Sequence, residues 1–278
     1  MDSLEFTALI FAGSLLAGFL GALTGLGGSF VIVPLLAVIF HVDIHYAIGA
    51  ALVSVIATSS GAAAAYVREG YSNIRVGMFL EMATTAGALV GASLVVYLQA
   101  SVIAVIFGLV LIYSAFVSFH EGSPSKQNKG PDRIATWLRL DSTYPTSTGL
   151  ESYHVRGVPM AFLLMIVAGV LSGLLGIGSG AVKVLAMDKA MGLPFKVSTT
   201  TSNFMIGVTA AAGAGIYLSR GYIDPGLAMP VMLGVLAGSI TGARVLAGAE
   251  VRVLRTVFTI VIGALAVLMI YSGLAGKI

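Results

Sequence analysis

Gly21-Ala22-Leu23-Thr24-Gly25-Leu26-Gly27-Gly28-Ser29 and, far downstream, Leu171-Ser172-Gly173-Leu174-Leu175-Gly176-Ile177-Gly178-Ser179-Gly180 are two glycine clusters inside otherwise apolar sequence. Each glycine weakens a helix by about 1 kcal/mol relative to alanine, so several in close succession interrupt one. The clusters follow apolar stretches at residues 6–24 and 160–175 and precede short ones at 30–40 and 181–191. A run of that short length rises only about 16 Å as a helix, half of a roughly 30 Å hydrocarbon core. Working outward, three longer apolar segments follow in each case: 47–67, 76–98 and 101–119, then 198–218, 227–247 and 254–273.

The two clusters belong to one repeated plan. Gly25 and Gly176 lie 151 positions apart, and the same offset pairs Gly27 with Gly178, Val33 with Val184, Thr58 with Thr209 and Tyr66 with Tyr217. It continues without a gap through Gly70 and Gly221, Tyr71 and Tyr222, Met78 and Met229, Gly87 and Gly238. Chance can match alanines in apolar sequence, but matched Gly-Tyr pairs at loop positions indicate duplication.

Composition places this repeat in lipid. The hydrophobic fraction is 58% and the charged fraction 10%, where a soluble domain carries roughly a quarter charged residues. The 35 glycines agree with this, since small residues let membrane helices approach closely. Without cysteine, disulfides, thiol catalysis and thiolate metal sites are excluded. The opening Met1-Asp2-Ser3-Leu4-Glu5 has no basic segment, so no cleaved signal peptide is expected.

The expected fold is an all-α polytopic membrane protein of two inverted-topology repeats, each a Gly-broken helical hairpin plus three transmembrane helices. The first repeat covers 1–119, a cytoplasmic linker 120–158, and the second repeat 159–278. Within the linker, Asp132 to Leu140 carries Trp137 between Arg133 and Arg139. That piece reads either as a short interfacial amphipathic helix or as an ordinary linker turn. If residues 6–40 enter and return on one side, twelve loop Lys and Arg residues share one face and only Arg220 and Lys277 lie opposite; a single crossing splits them nine to five. The positive-inside rule favours the hairpin. The three later crossings then invert the second half, and both termini fall outside the cytoplasm. Glycine-broken segments at matching positions of inverted halves are a pattern of transporters, with the ligand near the midplane. Helix N-termini there present free N–H groups to an anion.

The same residues carry a family resemblance. The first cluster, followed by Val33-Pro34-Leu35-Leu36, resembles the opening motif of the TauE/SafE family of sulfite exporters, and the second cluster resembles its second copy. Gly192-Leu193-Pro194, Thr201-Ser202-Asn203 and Gly238-Ser239-Ile240-Thr241-Gly242-Ala243-Arg244 also fit, and only the linker falls outside. The resemblance implies transport of sulfur-containing anions such as sulfite or sulfonates. The motif's usual glycine triplet is here Gly27-Gly28-Ser29 and Gly178-Ser179-Gly180, and Leu185 stands where the first half has Pro34. Such departures bear on which anion is taken.

The candidate substrate-binding residues are Gly27, Gly28, Ser29, Gly178, Ser179 and Gly180 at the breaks, with Lys183, Thr201, Ser202 and Asn203. Lys183 sits in an apolar run, where an ionisable side chain is expensive and suggests a cavity-facing role. It either balances a bound anion or snorkels and pairs with a carboxylate such as Asp188. The run Ser198 to Asn203 supplies hydroxyl and amide donors that bind oxyanions without fixed charge. In the first half the matching Ala50-Ala51-Leu52 is apolar, so the site is asymmetric. Glu81 and Arg244 are read as a gate ion pair at the cytoplasmic end, or Glu81 as a coupling residue. A proton or sodium ion is the candidate coupling ion.

Other classes find little support. His41-Val42-Asp43-Ile44-His45 has metal-ligand spacing but no further clustered ligand, and structural zinc takes four. No nucleophile elbow and no Gly-x-x-x-x-Gly-Lys-Ser/Thr loop is present, so neither a hydrolase nor a primary pump is expected. No metal, cofactor or nucleic-acid partner is implied. The reading is secondary transport of a small anion across the cytoplasmic membrane by alternating access. An anion channel and a non-transporting scaffold or assembly protein are the alternatives.

Overall fold

The computed structural model of the chain describes residues 3–24, 28–68, 71–119, 132–146, 149–246, 251–276 and 278. Its elements are α1 (Ser3–Thr24), α2 (Ser29–Pro34) running into a π-helical turn at Leu35–Ile39, α3 (Ile44–Arg68), α4 (Ile74–Leu94) and α5 (Ala100–Phe119). After α6 (Arg133–Trp137), β1 (Ser142–Thr146) and β2 (Gly149–Tyr153) come α7 (Val158–Leu175) and α8 (Gly180–Leu185), which runs into a π-helical turn at Ala186–Ala190. The chain finishes with α9 (Phe195–Ser219), α10 (Pro225–Leu246) and α11 (Val251–Leu274). The offset found in the identities also relates the boundaries. The starts of α2 and α8, α3 and α9, α4 and α10, and α5 and α11 each lie 151 residues apart, as do both π-helical turns.

Glycines set the closest helix contacts, and they do so in matching pairs. A Cβ added at Gly18 of α1 would lie 2.3 Å from the Val235 carbonyl oxygen of α10, and one at Gly169 of α7 would lie 2.2 Å from that of Thr84 in α4. Gly238 would meet the Leu15 carbonyl oxygen at 2.0 Å and Gly87 that of Ile166 at 2.3 Å. All four partners are related by the same offset. Helix α1 therefore packs on α10 as α7 packs on α4, backbone against backbone, as small residues permit in membranes.

In both halves the chain turns back after the break. Phe6 and Phe40 meet edge to face at 6.0 Å, so the chain after the first break returns to the start of α1. In the second half the Arg156 N–H donates to the Met191 carbonyl at 3.0 Å. The short arm begins part-way along the long one. The Ser179 hydroxyl, just before α8, donates to the Ala168 carbonyl at 2.5 Å. Ala168 is ten residues into α7, which is about 15 Å along its axis. Gly28, just before α2, occupies the equivalent level beside Ala17 and Gly18.

Polarity runs inward and large apolar side chains point out. Met78, Met82, Leu109, Phe116, Leu163, Val267 and Leu274 are exposed, whereas Ser14, Ser29, Thr84, Ser172, Lys183, Thr201 and Thr209 are buried. In water such an outer surface would aggregate; in lipid it is the solvated face. Among the described residues, four helical windows are long and apolar enough to cross a membrane: Leu4–Gly21, Ile74–Tyr97, Val158–Leu175 and Pro225–Gly242. They lie in the two glycine-packed pairs.

The described part of the linker, residues 132–146 and 149–157, holds more regular structure than its sequence suggested. Helix α6 lies within the piece read as a helix or a turn, and Trp137 is largely exposed at its end. The β1–β2 hairpin, pairing Ser142 with Tyr153 and Thr146 with Gly149, was not expected. Asn73 ties this unit to the helices. Its side chain caps α4 at the Val76 N–H (3.1 Å) and donates to the Leu140 carbonyl (2.9 Å) and the Tyr153 hydroxyl (2.8 Å). Burial pushes the Tyr153 phenol above its ordinary value, so it stays protonated. Arg75 donates to the Arg139 carbonyl and the Thr200 hydroxyl to the Tyr71 carbonyl. Three of the connections that the charge pattern groups on one face therefore meet there: the loop before α4, the linker and the start of α9.

Candidate functional site

The second glycine break is built from left-handed backbone. Gly176 (φ 69°), Gly178 (φ 67°) and Ser179 (φ 50°) all adopt positive φ, which costs a side-chain-bearing residue energy and glycine none. Ser179 is held there by its bond to Ala168. The turn ends α7 and restarts the chain as α8, whose first helical hydrogen bond runs from the Lys183 N–H to the Ser179 carbonyl at 3.0 Å. A Cβ at Gly178 would touch Ile206 at 2.8 Å, so the break sits directly against α9. The Ser202 hydroxyl of α9 reaches the Gly180 carbonyl at 3.4 Å.

Lys183 follows one turn later and is fully buried. Its Nζ donates to the Thr209 hydroxyl at 2.6 Å, and that hydroxyl lies 2.6 Å from Glu81 Oε1. Glu81 Oε2 is 4.0 Å from the ammonium. Thr85, one turn along α4 from Glu81, donates to Oε1 at 3.1 Å. Three helices thus deliver one polar cluster: Lys183 from α8, Thr209 from α9, Glu81 and Thr85 from α4. Ser202 and Thr209 are seven residues apart, which puts them on one face of α9, looking at α8. Glu81 Oε2 is buried with no hydrogen-bond partner. An unpaired buried oxygen of this kind marks a place where a proton, water or ligand acts.

The expected residues distribute unevenly around this centre. Gly178, Ser179, Gly180, Ser202 and Lys183 are brought together. Thr201 is not with them: fully buried, its hydroxyl accepts the Asn73 N–H at 3.0 Å and so fastens α9 to the loop before α4. Asn203 is half-buried on a third face of α9. Ser29 is buried beside the first break and its hydroxyl has no hydrogen-bond partner; Gly28 caps α2 through its backbone. Gly27 lies outside the described residues, as does the side chain of Arg244. Glu81 is held by Lys183 and Thr209, while Asp188 pairs with Lys189 at 3.3 Å, so the carboxylate beside Lys183 comes from α4 and not from its own helix. Thr209 and Thr85 were missed as site residues, although the pairing of Thr209 with Thr58 was legible. Asp43, in the stretch with metal-ligand spacing, accepts from the His45 N–H and ring at the start of α3.

An open groove between α1 and α10, lined by Leu4, Phe11, Met229, Pro230 and Leu233, lies on the outer flank. Nearly all of its lining is apolar, so it suits lipid and offers an anion nothing.

Comparison with known proteins agrees with this picture. The family model described as Sulfite exporter TauE/SafE matches residues 10–269, and the chain belongs to that family. Two Bacillus subtilis proteins, named Probable membrane transporter protein YunE and Probable membrane transporter protein YdhB, are each 27% identical to it. YunE aligns over 98% of this chain and 99% of its own length, and YdhB over 85% and 87%. The archaeal Probable membrane transporter protein MJ0441 of Methanocaldococcus jannaschii is 24% identical over 92% of each chain. No solved structure matches the chain.

Proposed function

We propose that this member of the sulfite exporter TauE/SafE family is a secondary transporter of a small anion, a sulfur oxyanion or organosulfonate such as sulfite, across the cytoplasmic membrane. Membership makes it a membrane transporter with a small-molecule substrate. The anion reading rests on one observation: a fully buried lysine, one turn past a helix break whose far side lies level with about the middle of α7. A lysine is retained in a membrane interior at considerable cost, and a role facing a substrate or ion explains why. Ser202, the backbone of Gly178 to Gly180 and, across the pseudo-symmetry, Gly27 to Ser29 are assigned as further donors around the anion.

Alternating access is the accompanying mechanism. The repeats at 1–119 and 159–278, joined by a cytoplasmic linker, exchange helices through the α1–α10 and α4–α7 contacts, so each of the two bodies proposed to rock about the central breaks draws on both repeats. Closed hairpins followed by three helices make the second repeat inverted relative to the first, with both termini outside the cytoplasm, and the matched contacts of α1 with α10 and α7 with α4 support that arrangement. The test is exchange of labelled sulfite by the purified protein in liposomes. Saturable counterflow, reduced at least about tenfold by Lys183→Ala, is the expected result. Flux that rises without saturation makes the protein a channel, and no flux of any sulfur anion overturns the reading.

A further inference from the structure

The buried cluster holds equal charge of opposite sign, and that constrains what binding an anion can do. Lys183 is not a free cation waiting for substrate: Glu81 Oε2 lies 4.0 Å from its ammonium and the Thr209 hydroxyl bridges the two. An anion arriving at Nζ meets a charge already matched. If Glu81 stays ionised, the occupied site carries an uncompensated negative charge in the membrane interior, which is prohibitive whether the carboxylate stays or swings away. If Glu81 takes up a proton, the balance is restored for a monovalent anion.

We propose that Glu81 is the proton carrier of this transporter, so that one proton enters the site with each anion. The proposal rests on the anion reading above and adds the coupling. The exchange conserves charge and atoms: the Lys183 ammonium leaves the Glu81 carboxylate for the incoming anion, and the carboxylate takes one proton from the water on the open side. The receiving atom is Glu81 Oε2. Oε1 faces the hydroxyls of Thr85 and Thr209, whereas Oε2 is buried with no hydrogen-bond partner.

Lys183 is the one titratable side chain shown facing Glu81 among the described residues, and the other charged groups on the packed helices are engaged elsewhere. Helix α7 has no titratable side chain. On α9, Lys196 lies over the Tyr71 ring and the Tyr217 hydroxyl donates to the Leu174 carbonyl. Beyond α8, Asp188 and Lys189 pair with each other, and on α4 itself Arg75 donates to the Arg139 carbonyl. The 151-residue offset relates Lys183 to Ile32 and Glu81 to Met232, so the duplication supplies no second carrier.

The experiment is calorimetric titration of the full-length protein in detergent with methanesulfonate, sulfate, thiosulfate and sulfoacetate, whose charges are constant between about pH 5.5 and 8. Repeating it in buffers of different ionisation enthalpy counts protons. The expected result is uptake of about one proton per bound methanesulfonate, the monovalent anion of the set, with Kd weakening about tenfold per pH unit of increase. Glu81→Gln, which carries no titratable charge, is expected to bind without uptake and with a flat pH profile. Anion binding by the wild type with no proton uptake overturns the coupling and leaves the anion site standing. Uptake that persists in Glu81→Gln, or binding that requires sodium, also overturns it. If none of the four anions binds, the anion reading fails and the proposal with it. Should the variant not fold, the wild-type proton count decides alone.

Discussion

The cluster of Lys183, Thr209 and Glu81 and the place related to it by the 151-residue offset, where Ile32, Thr58 and Met232 stand, are built on repeated backbone and filled with opposite chemistry. In the cluster, a buried ammonium and a hydroxyl from the second repeat meet a carboxylate from the first. At the related place Ile32 is fully buried and Thr58 bonds back to the Ser54 and Val55 carbonyls of its own helix. The apolar version shows that the scaffold needs no charge at this position. What the cluster adds is therefore specific to one of the two places, and its cost is offset by what it does. The glycine contacts behave differently: Gly18 with Gly169, and Gly87 with Gly238, are kept in both copies, as expected for parts that hold helices together.

Mutations can break or sharpen this contrast. The largest effect is expected from Lys183→Met, which leaves Glu81 buried without a counter-charge and should destabilise by about 3–5 kcal/mol in thermal or denaturant unfolding. Adding Glu81→Gln removes the orphaned charge and should return stability at least to about the wild-type level, since an apolar substitute for a buried ion pair is often neutral or better. A double variant as unstable as the single would show that the pair is structural and that the two halves differ for reasons of folding. Next come Gly87→Ala and Gly238→Ala. Each places a methyl against a backbone carbonyl, at 2.3 and 2.0 Å, and each should cost about 1–3 kcal/mol. Unequal costs there would break the claim that this contact is shared. The smallest contrast is between the threonines. Thr209→Val removes the bridge between two buried charged groups and should cost about 1–3 kcal/mol, whereas Thr58→Val, which loses only bonds within its helix, should cost under about 1 kcal/mol.

The fold was legible because its signals are periodic and local. Glycine clusters, apolar runs and a constant offset gave the boundaries of the broken hairpins to within a few residues, and the π-helical turns after α2 and α8 simply complete the short runs. The linker hairpin was not seen. Its strands are short and carry no alternating apolar pattern, as in Ser142-Thr143-Tyr144-Pro145-Thr146, and the proline within the first reads as loop. The site was half legible. Lys183 stood out because a lone charge in an apolar run is visible without coordinates. Its partner did not, because Glu81 lies more than a hundred residues away on another helix, and sequence position alone grouped it with Arg244. The polar run at Thr201, Ser202 and Asn203 was read as one donor set. Successive helical residues are turned by about 100°, so only Ser202 faces the break, while Thr201 fastens the loop at Asn73.

Transport as proposed requires the Lys183, Thr209 and Glu81 cluster to be an anion site. The most direct measurement is the melting temperature of the purified protein against increasing sulfite, sulfate, thiosulfate and sulfoacetate, compared with the Lys183→Met/Glu81→Gln double variant. A sulfur anion present at about a hundred times its Kd should stabilise the wild type by about 2.7 kcal/mol and leave the double variant unshifted. Stabilisation retained in the double variant, or given only by cations or apolar solutes, would contradict the account.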